Sequence, residues 1–147
     1  MYAKGLVPGV RPGATGLEVI RMHALARVLL GPVLRNIQAS WVKEGPKLAQ
    51  ALLDAGANDL GGTLINESIS TSAGAQYGQL VGPAELHRWI RDAGRVPAER
   101  DTLYRVLRRF ENGDDPVSPL DRVEDAEARF GSYRRLIASG EFRFTAR

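Results

Sequence analysis

Two short runs of this 147-residue chain alternate with period two, and a helical segment lies between them. In Leu34 to Trp41, the polar residues Asn36, Gln38 and Ser40 alternate with Ile37, Ala39 and Trp41. In Asn58 to Leu64, Asp59, Gly61 and Thr63 alternate with Leu60, Gly62 and Leu64. Such alternation sends successive side chains to opposite faces of a strand. Between the runs, Gly45-Pro46 starts a helix with proline at its first position. Leu48, Ala49, Leu52 and Leu53 form its inward face, and Gly56 ends it. Strands separated by helices pair in parallel, because only a crossover returns the chain in the same direction. Two such strands do not make a stable sheet alone. The pattern therefore predicts an α/β fold: part of a larger α/β barrel, with a helix added at the C-terminal end.

The flanking segments follow the same rules. Residues 1 to 16 carry Gly5, Gly9, Gly13, Gly16, Pro8 and Pro12, a loop composition. Thr15 and Glu18 fit a capping box, and Leu17, Ile20, Ala24 and Val28 follow at helical spacing until Gly31-Pro32. Residues 66 to 81, rich in Ser, Gly and Ala, read as loop or short helix. Gly82-Pro83 opens a helix with Leu86, Trp89 and Ile90 inward and Gly94 closing it. Asp101 to Leu107 fits strand and helix equally. Residues 111 to 119 form a linker-like break, after which Ser118 and Asp121 fit a cap. Leu120, Val123, Ala126, Phe130, Tyr133 and Ile137 then predict one sustained amphipathic helix. This last helix is expected to be an appendage on the main body.

Composition excludes several classes. The chain has no cysteine, which removes disulfides, thiolate nucleophiles, zinc–thiolate sites and any self-supplied iron–sulfur cluster. Its two histidines, His23 and His87, lie in different helical patterns without metal-ligand spacing. A net charge of +3, with acidic residues spread throughout and no basic stripe interleaved with aromatics, argues against nucleic acid. No apolar run approaches the roughly 20 residues of a membrane helix, and the N-terminus lacks a signal-peptide core, so the expected location is cytoplasmic.

The two alternating runs hold the chemistry. In a barrel, the inner face of a strand turns polar toward its C-terminal end, where active sites are built. Gln38 and Ser40 on one strand, with Asp59, Gly61, Gly62 and Thr63 on the next, are the candidate substrate-binding residues. Gly61-Gly62 allows close approach of a ligand to the backbone. The structural alternatives stand beside these: Asn36, Gln38 and Ser40 on a solvated edge strand, and the glycine pair as a tight turn. His23 reads as structural, His87 as a surface residue, Trp41 and Trp89 as packing anchors. A lone Glu67 after the second strand is a weak candidate for a general base.

The stretch from Asn36 to Lys43, followed by Gly56 to Leu64, closely resembles the end of the barrel in the CofH/FO synthase family of radical S-adenosylmethionine (SAM) enzymes. Gly9 to Gly13 and Arg100 to Tyr104 also resemble that family, so the likeness covers about residues 1 to 107. It implies the last βα units of a TIM-type barrel over 1–107 and a linker with a helical extension over 108–147. It implies an enzyme in which a 4Fe-4S cluster cleaves S-adenosylmethionine to a 5′-deoxyadenosyl radical. That radical acts on L-tyrosine, and the 4-hydroxybenzyl fragment is joined to 5-amino-6-(D-ribitylamino)uracil on the way to FO and coenzyme F-420. A CofG-type protein or domain completes the ring. The family's cluster sits on a Cys-x3-Cys-x2-Cys motif near the start of the barrel, and this chain has no Cys. The resemblance therefore implies a C-terminal fragment that binds neither cluster nor SAM by itself, is inactive alone, and has the missing N-terminal part of the barrel as a partner. The alternatives are a non-catalytic binding or assembly module on the same scaffold and a fragment of the related futalosine (menaquinone) pathway enzymes.

Overall fold

The computed structural model describes residues 13–65, 67, 69–70, 77, 80–111, 113, 115, 117–132, 135 and 138–139. Residues 1–12 of the expected N-terminal loop over 1–16, and most of 66–81, lie outside the described residues.

Helix α1, Gly16–Leu30, starts as its sequence dictates. Thr15 Oγ1 accepts from the Glu18 amide while the Glu18 carboxylate accepts from the Thr15 amide, a complete capping box. A single turn, α2 (Trp41–Glu44), leads into α3 (Pro46–Asp54). Ala55 caps α3, and Gly56 beyond it adopts φ 115°. Helix α4, Pro83–Asp92, ends on Ala93, one residue before Gly94. A hairpin follows, β1 (Ala98–Arg100) antiparallel to β2 (Val106–Arg109), with a register irregularity between Glu99 and Arg100. A 3₁₀ turn, Pro119–Arg122, and α5, Ala126–Phe130, complete the described elements. The architecture is a mixed arrangement of helices and a small sheet.

The core forms where these segments meet. Ala39, Trp41, Val42, Ala49, Leu52, Leu53, Ala57, Leu60, Leu86 and Trp89 make one buried cluster. Trp41 and Trp89 meet edge to face with ring centroids 6.1 Å apart, the packing role expected of them. The Trp41 indole N–H donates to the Gly62 carbonyl at 3.2 Å.

The alternating runs do meet in parallel, through a bridge between Gln38 and Asp59. The Ala39 amide donates to the Asp59 carbonyl at 2.8 Å, and the Asn58 amide to the Ile37 carbonyl at 3.0 Å. The first run is shorter than its pattern suggests. At Ser40 the chain turns, the amides of Lys43 and Glu44 bond to the Ser40 carbonyl, and Trp41 becomes the first helical residue, carried into the core. In the second run Leu60 is buried but Leu64 is 38% exposed, so the alternation of burial stops after the bridge.

Two other expectations change. The 101–107 segment is the hairpin's turn and the start of β2. Its strands are largely exposed on both faces, which leaves no alternation to read. The sustained helix after Ser118 is broken. Ser118 and Asp121 form their capping box on a 3₁₀ turn, Val123 becomes extended, and Asp125 caps a second helix that ends before Gly131. Two capping residues seven positions apart favour two short helices over one long one. Tyr133 and Ile137 lie outside the described residues.

Candidate functional site

Asp59 stands at the bridge between the two runs and organises the surrounding groups. Its side chain is only 7% exposed. One carboxylate oxygen accepts from the Gly61 amide and the other from Arg100 Nε. Both oxygens of a buried carboxylate are thereby satisfied, as its desolvation requires. Gly61 closes this turn with φ 78°, a left-handed conformation that favours glycine, and a Cβ there would displace the end of the Gln38 side chain, whose Nε2 would lie 2.5 Å away. Gly62 is different: a Cβ on it would meet nothing within 4 Å.

Arg100, at the end of β1, reaches across from the hairpin. Its Nη1 donates to the Asp101 carbonyl at 3.0 Å, and its guanidinium carbon lies 4.3 Å from the centre of the Tyr104 ring. The hydrogen bond to Asp59 raises its pKa above the already high arginine value. Tyr104 holds φ 62°, a left-handed conformation uncommon for a non-glycine residue. Asp101 fixes that turn, because its Oδ1 accepts from the amides of Leu103 and Arg105. The Arg105 amide, then its side chain, hold the Asp101 carboxyl below the usual range.

Asp59, Gly61, Gly62, Arg100 and Tyr104 line an open cleft of about 1360 Å³ together with Asn36, Thr63, Arg35 and Arg109. Five arginines face three acidic residues along its wall, an excess of positive charge suited to anions. Of the residues expected in the site, Asp59, Gly61, Gly62 and Thr63 line the cleft. Gln38 packs over Gly61 from the side, and Ser40 instead spends its carbonyl on the turn into α2. Arg100 and Tyr104 escaped the periodicity reading, because they sit on a strand end and a turn with no repeating pattern. Glu67 accepts from the Ser70 amide at 3.1 Å.

Below the cleft, α4 ties down the segment after β2. Arg91 makes a two-pronged pair with Asp115, and His87 Nδ1 lies 3.0 Å from the same carboxylate. His87 is thus not a surface residue. Its side chain is 13% exposed, and its ring packs 4.3 Å from that of Phe110. The Arg91 hydrogen bond, reinforced by the nearby His87, holds the Asp115 carboxyl below the usual range. His23 bonds through Nδ1 to the Val19 carbonyl of its own helix, a structural role. Among the described residues, no group of three or more His, Cys, Asp or Glu side chains could hold a metal ion. No described helix is long and apolar enough to cross a membrane.

The parallel bridge, the glycine turn and the arginine-lined cleft lie together in a mixed arrangement of helices and a small sheet. The family model of the CofH/MqnC C-terminal region matches residues 5–112, and the chain belongs to that family. It is 59% identical over 95 residues to the 5-amino-6-(D-ribitylamino)uracil–L-tyrosine 4-hydroxyphenyl transferase of Archaeoglobus fulgidus, covering 65% of this chain and 28% of that protein. The transferase of the same name from Methanopyrus kandleri is 51% identical over 108 residues, 74% of this chain and 28% of that protein. That of Methanocaldococcus jannaschii is 48% identical over 97 residues, 66% of this chain and 27% of that protein. The chain thus spans a little over a quarter of the length of these relatives. No solved structure matches it.

Proposed function

We propose that the chain forms the substrate-side wall of a radical SAM transferase of the CofH type, which joins a tyrosine-derived 4-hydroxybenzyl group to 5-amino-6-(D-ribitylamino)uracil. Residues 1–107 are the last βα units of its barrel, and 108–147 are an extension. The observation that carries the reading is Asp59, buried at the parallel bridge and clamped between the Gly61 amide and Arg100 on the cleft wall. It presets a binding surface at a strand end, where barrels place their sites. Gln38, Asp59 and Gly61 shape that surface; Gly62 and Thr63 leave it open to substrate, and Ser40 borders it where the chain turns. Helix α1 adds support. Its outward residues Leu17, Met22, Leu25, Val28 and Leu29 are exposed and apolar, a side suited to cover by the rest of a barrel.

The family's 4Fe-4S cluster does not fit this chain, which has no cysteine to ligate it. Cluster, S-adenosylmethionine and radical formation belong to other residues, and the chain contributes binding and orientation. A non-catalytic assembly module on the same scaffold is the second reading, favoured by the same lack of cysteine.

A two-piece assay tests the proposal. The Archaeoglobus fulgidus relative, cut before its matching quarter, is mixed anaerobically with this chain, S-adenosylmethionine, L-tyrosine and the aminouracil. Coupled product is expected with both pieces and with neither alone. If the relative's own C-terminal piece restores product and this chain does not, the assembly-module reading takes over.

A further inference from the structure

A guanidinium offers five N–H donors in a rigid fork, and its partners decide which edge is left for a ligand. In Arg100, Nε is taken by Asp59 and Nη1 by the Asp101 carbonyl, while Tyr104 covers one face. Nη2 has no acceptor among the described residues, and the side chain, 28% exposed, borders the cleft. Asp59 has both oxygens committed, so it holds the guanidinium in place without occupying that edge. Tyr104 reaches its stacking position only through a left-handed turn that Asp101 keeps in shape. Backbone strain maintained beside a cleft, under an arginine with an edge to spare, points to a binding role.

We propose that Arg100 is the carboxylate anchor of the cleft and takes the α-carboxylate of the amino-acid substrate. Asp59 and Tyr104 are its positioning residues. The inference rests on the reading above and deepens it. Of the two substrates in the relatives' names, L-tyrosine alone carries a carboxylate, whereas the ribityl chain and the uracil are uncharged polar groups. The pair Arg100–Asp59 is itself neutral, so discrimination comes from the directed Nη2 donors and from the surplus of arginines on the wall.

The test is calorimetric titration of the full chain with L-tyrosine, with tyramine (the same molecule without its carboxylate) and with 5-amino-6-(D-ribitylamino)uracil. Wild type is expected to prefer L-tyrosine over tyramine by about tenfold or more, the range of a hydrogen bond to a charged group. Arg100→Gln is expected to remove that preference while tyramine and aminouracil affinities stay within about twofold. Arg100→Lys, which keeps the charge and loses the fork, is expected to fall between. A folded Arg100→Gln that keeps the full preference overturns the inference. So does a wild type that shows none, whatever the variants do. Aminouracil binding without carboxylate discrimination overturns the anchor and leaves the substrate-wall reading standing; binding of none of the three overturns both.

Discussion

Helix α1 and helix α3 are built from similar proportions of apolar residues and have opposite fates. Over its 15 residues α1 buries none fully. Over its 9 residues α3 buries Ala49, Leu52 and Leu53. In α3 Ala49, Leu52 and Leu53 share one face, so a single contact removes all three from water, with Leu48 half-buried beside them. In α1 they surround the axis, and only Val19 and Ile20 pack on the core. What holds α1 is polar. Arg27 Nε donates to the Gly56 carbonyl, Nη1 to the Arg35 carbonyl and Nη2 to Asn58 Oδ1, at 2.8 to 2.9 Å. Gly56 permits this approach, because a Cβ there would lie 2.6 Å from Arg27 Cβ. Placement of the apolar residues, and not their number, decides which helix anchors the fold.

The contrast can be broken at several points. Leu52, fully buried under α3, is the place of largest effect: Leu52→Ala is expected to cost about 2–5 kcal/mol in denaturant unfolding. A loss below about 1 kcal/mol would mean that α3 is not the anchor. Asp59→Ala removes the acceptor of both Arg100 and the Gly61 amide and is expected to cost about 1–3 kcal/mol. Arg27→Ala is expected to cost about 1 kcal/mol and to speed hydrogen exchange in α1 while α3 stays protected. Equal acceleration in both helices would contradict the division.

A pH titration sharpens the comparison on the α4 side. The Asp115 carboxyl sits below its ordinary value, mainly through Arg91. Its contribution is therefore complete above the unfolded carboxylate pKa of about 3.9 and is lost as pH falls below that through the folded value. Amide signals near residues 110 to 118 are expected to hold steady from neutral pH down to that range and then shift. Loss of the tie near neutrality would contradict the pairing. The smallest effect is expected on the outward side of α1. Val28 is 75% exposed, and Val28→Lys is expected to change stability by no more than about 0.5 kcal/mol.

The sequence made the anchoring parts legible. Pro46 and Pro83 at helix starts, the Thr15 and Ser118 caps, and the inward faces of α3 and α4 follow from local chemistry that the fold keeps. The parallel meeting of Gln38 with Asp59 was legible from the two alternating runs. The hairpin was not, because Val106 to Arg109 is exposed throughout and carries no period. Arg100 stood out in the sequence only through the family resemblance of Arg100 to Tyr104; periodicity could not find its role, which depends on a partner 41 residues away. The break between the 3₁₀ turn and α5 was missed because the apolar stripe runs on through Val123 while the backbone does not.

In the proposed function the bridged strand ends, and not the apolar side of α1, form the binding wall. Amide chemical-shift mapping of the full chain with L-tyrosine and 5-amino-6-(D-ribitylamino)uracil tests it most directly. Shifts are expected at residues 36–40, 58–63 and 98–104 and at Arg27, which lines the cleft, with the outward residues Leu17, Met22, Leu25, Val28 and Leu29 of α1 silent. Shifts concentrated on α1, with Asp59, Gly61 and Arg100 unmoved, would contradict it.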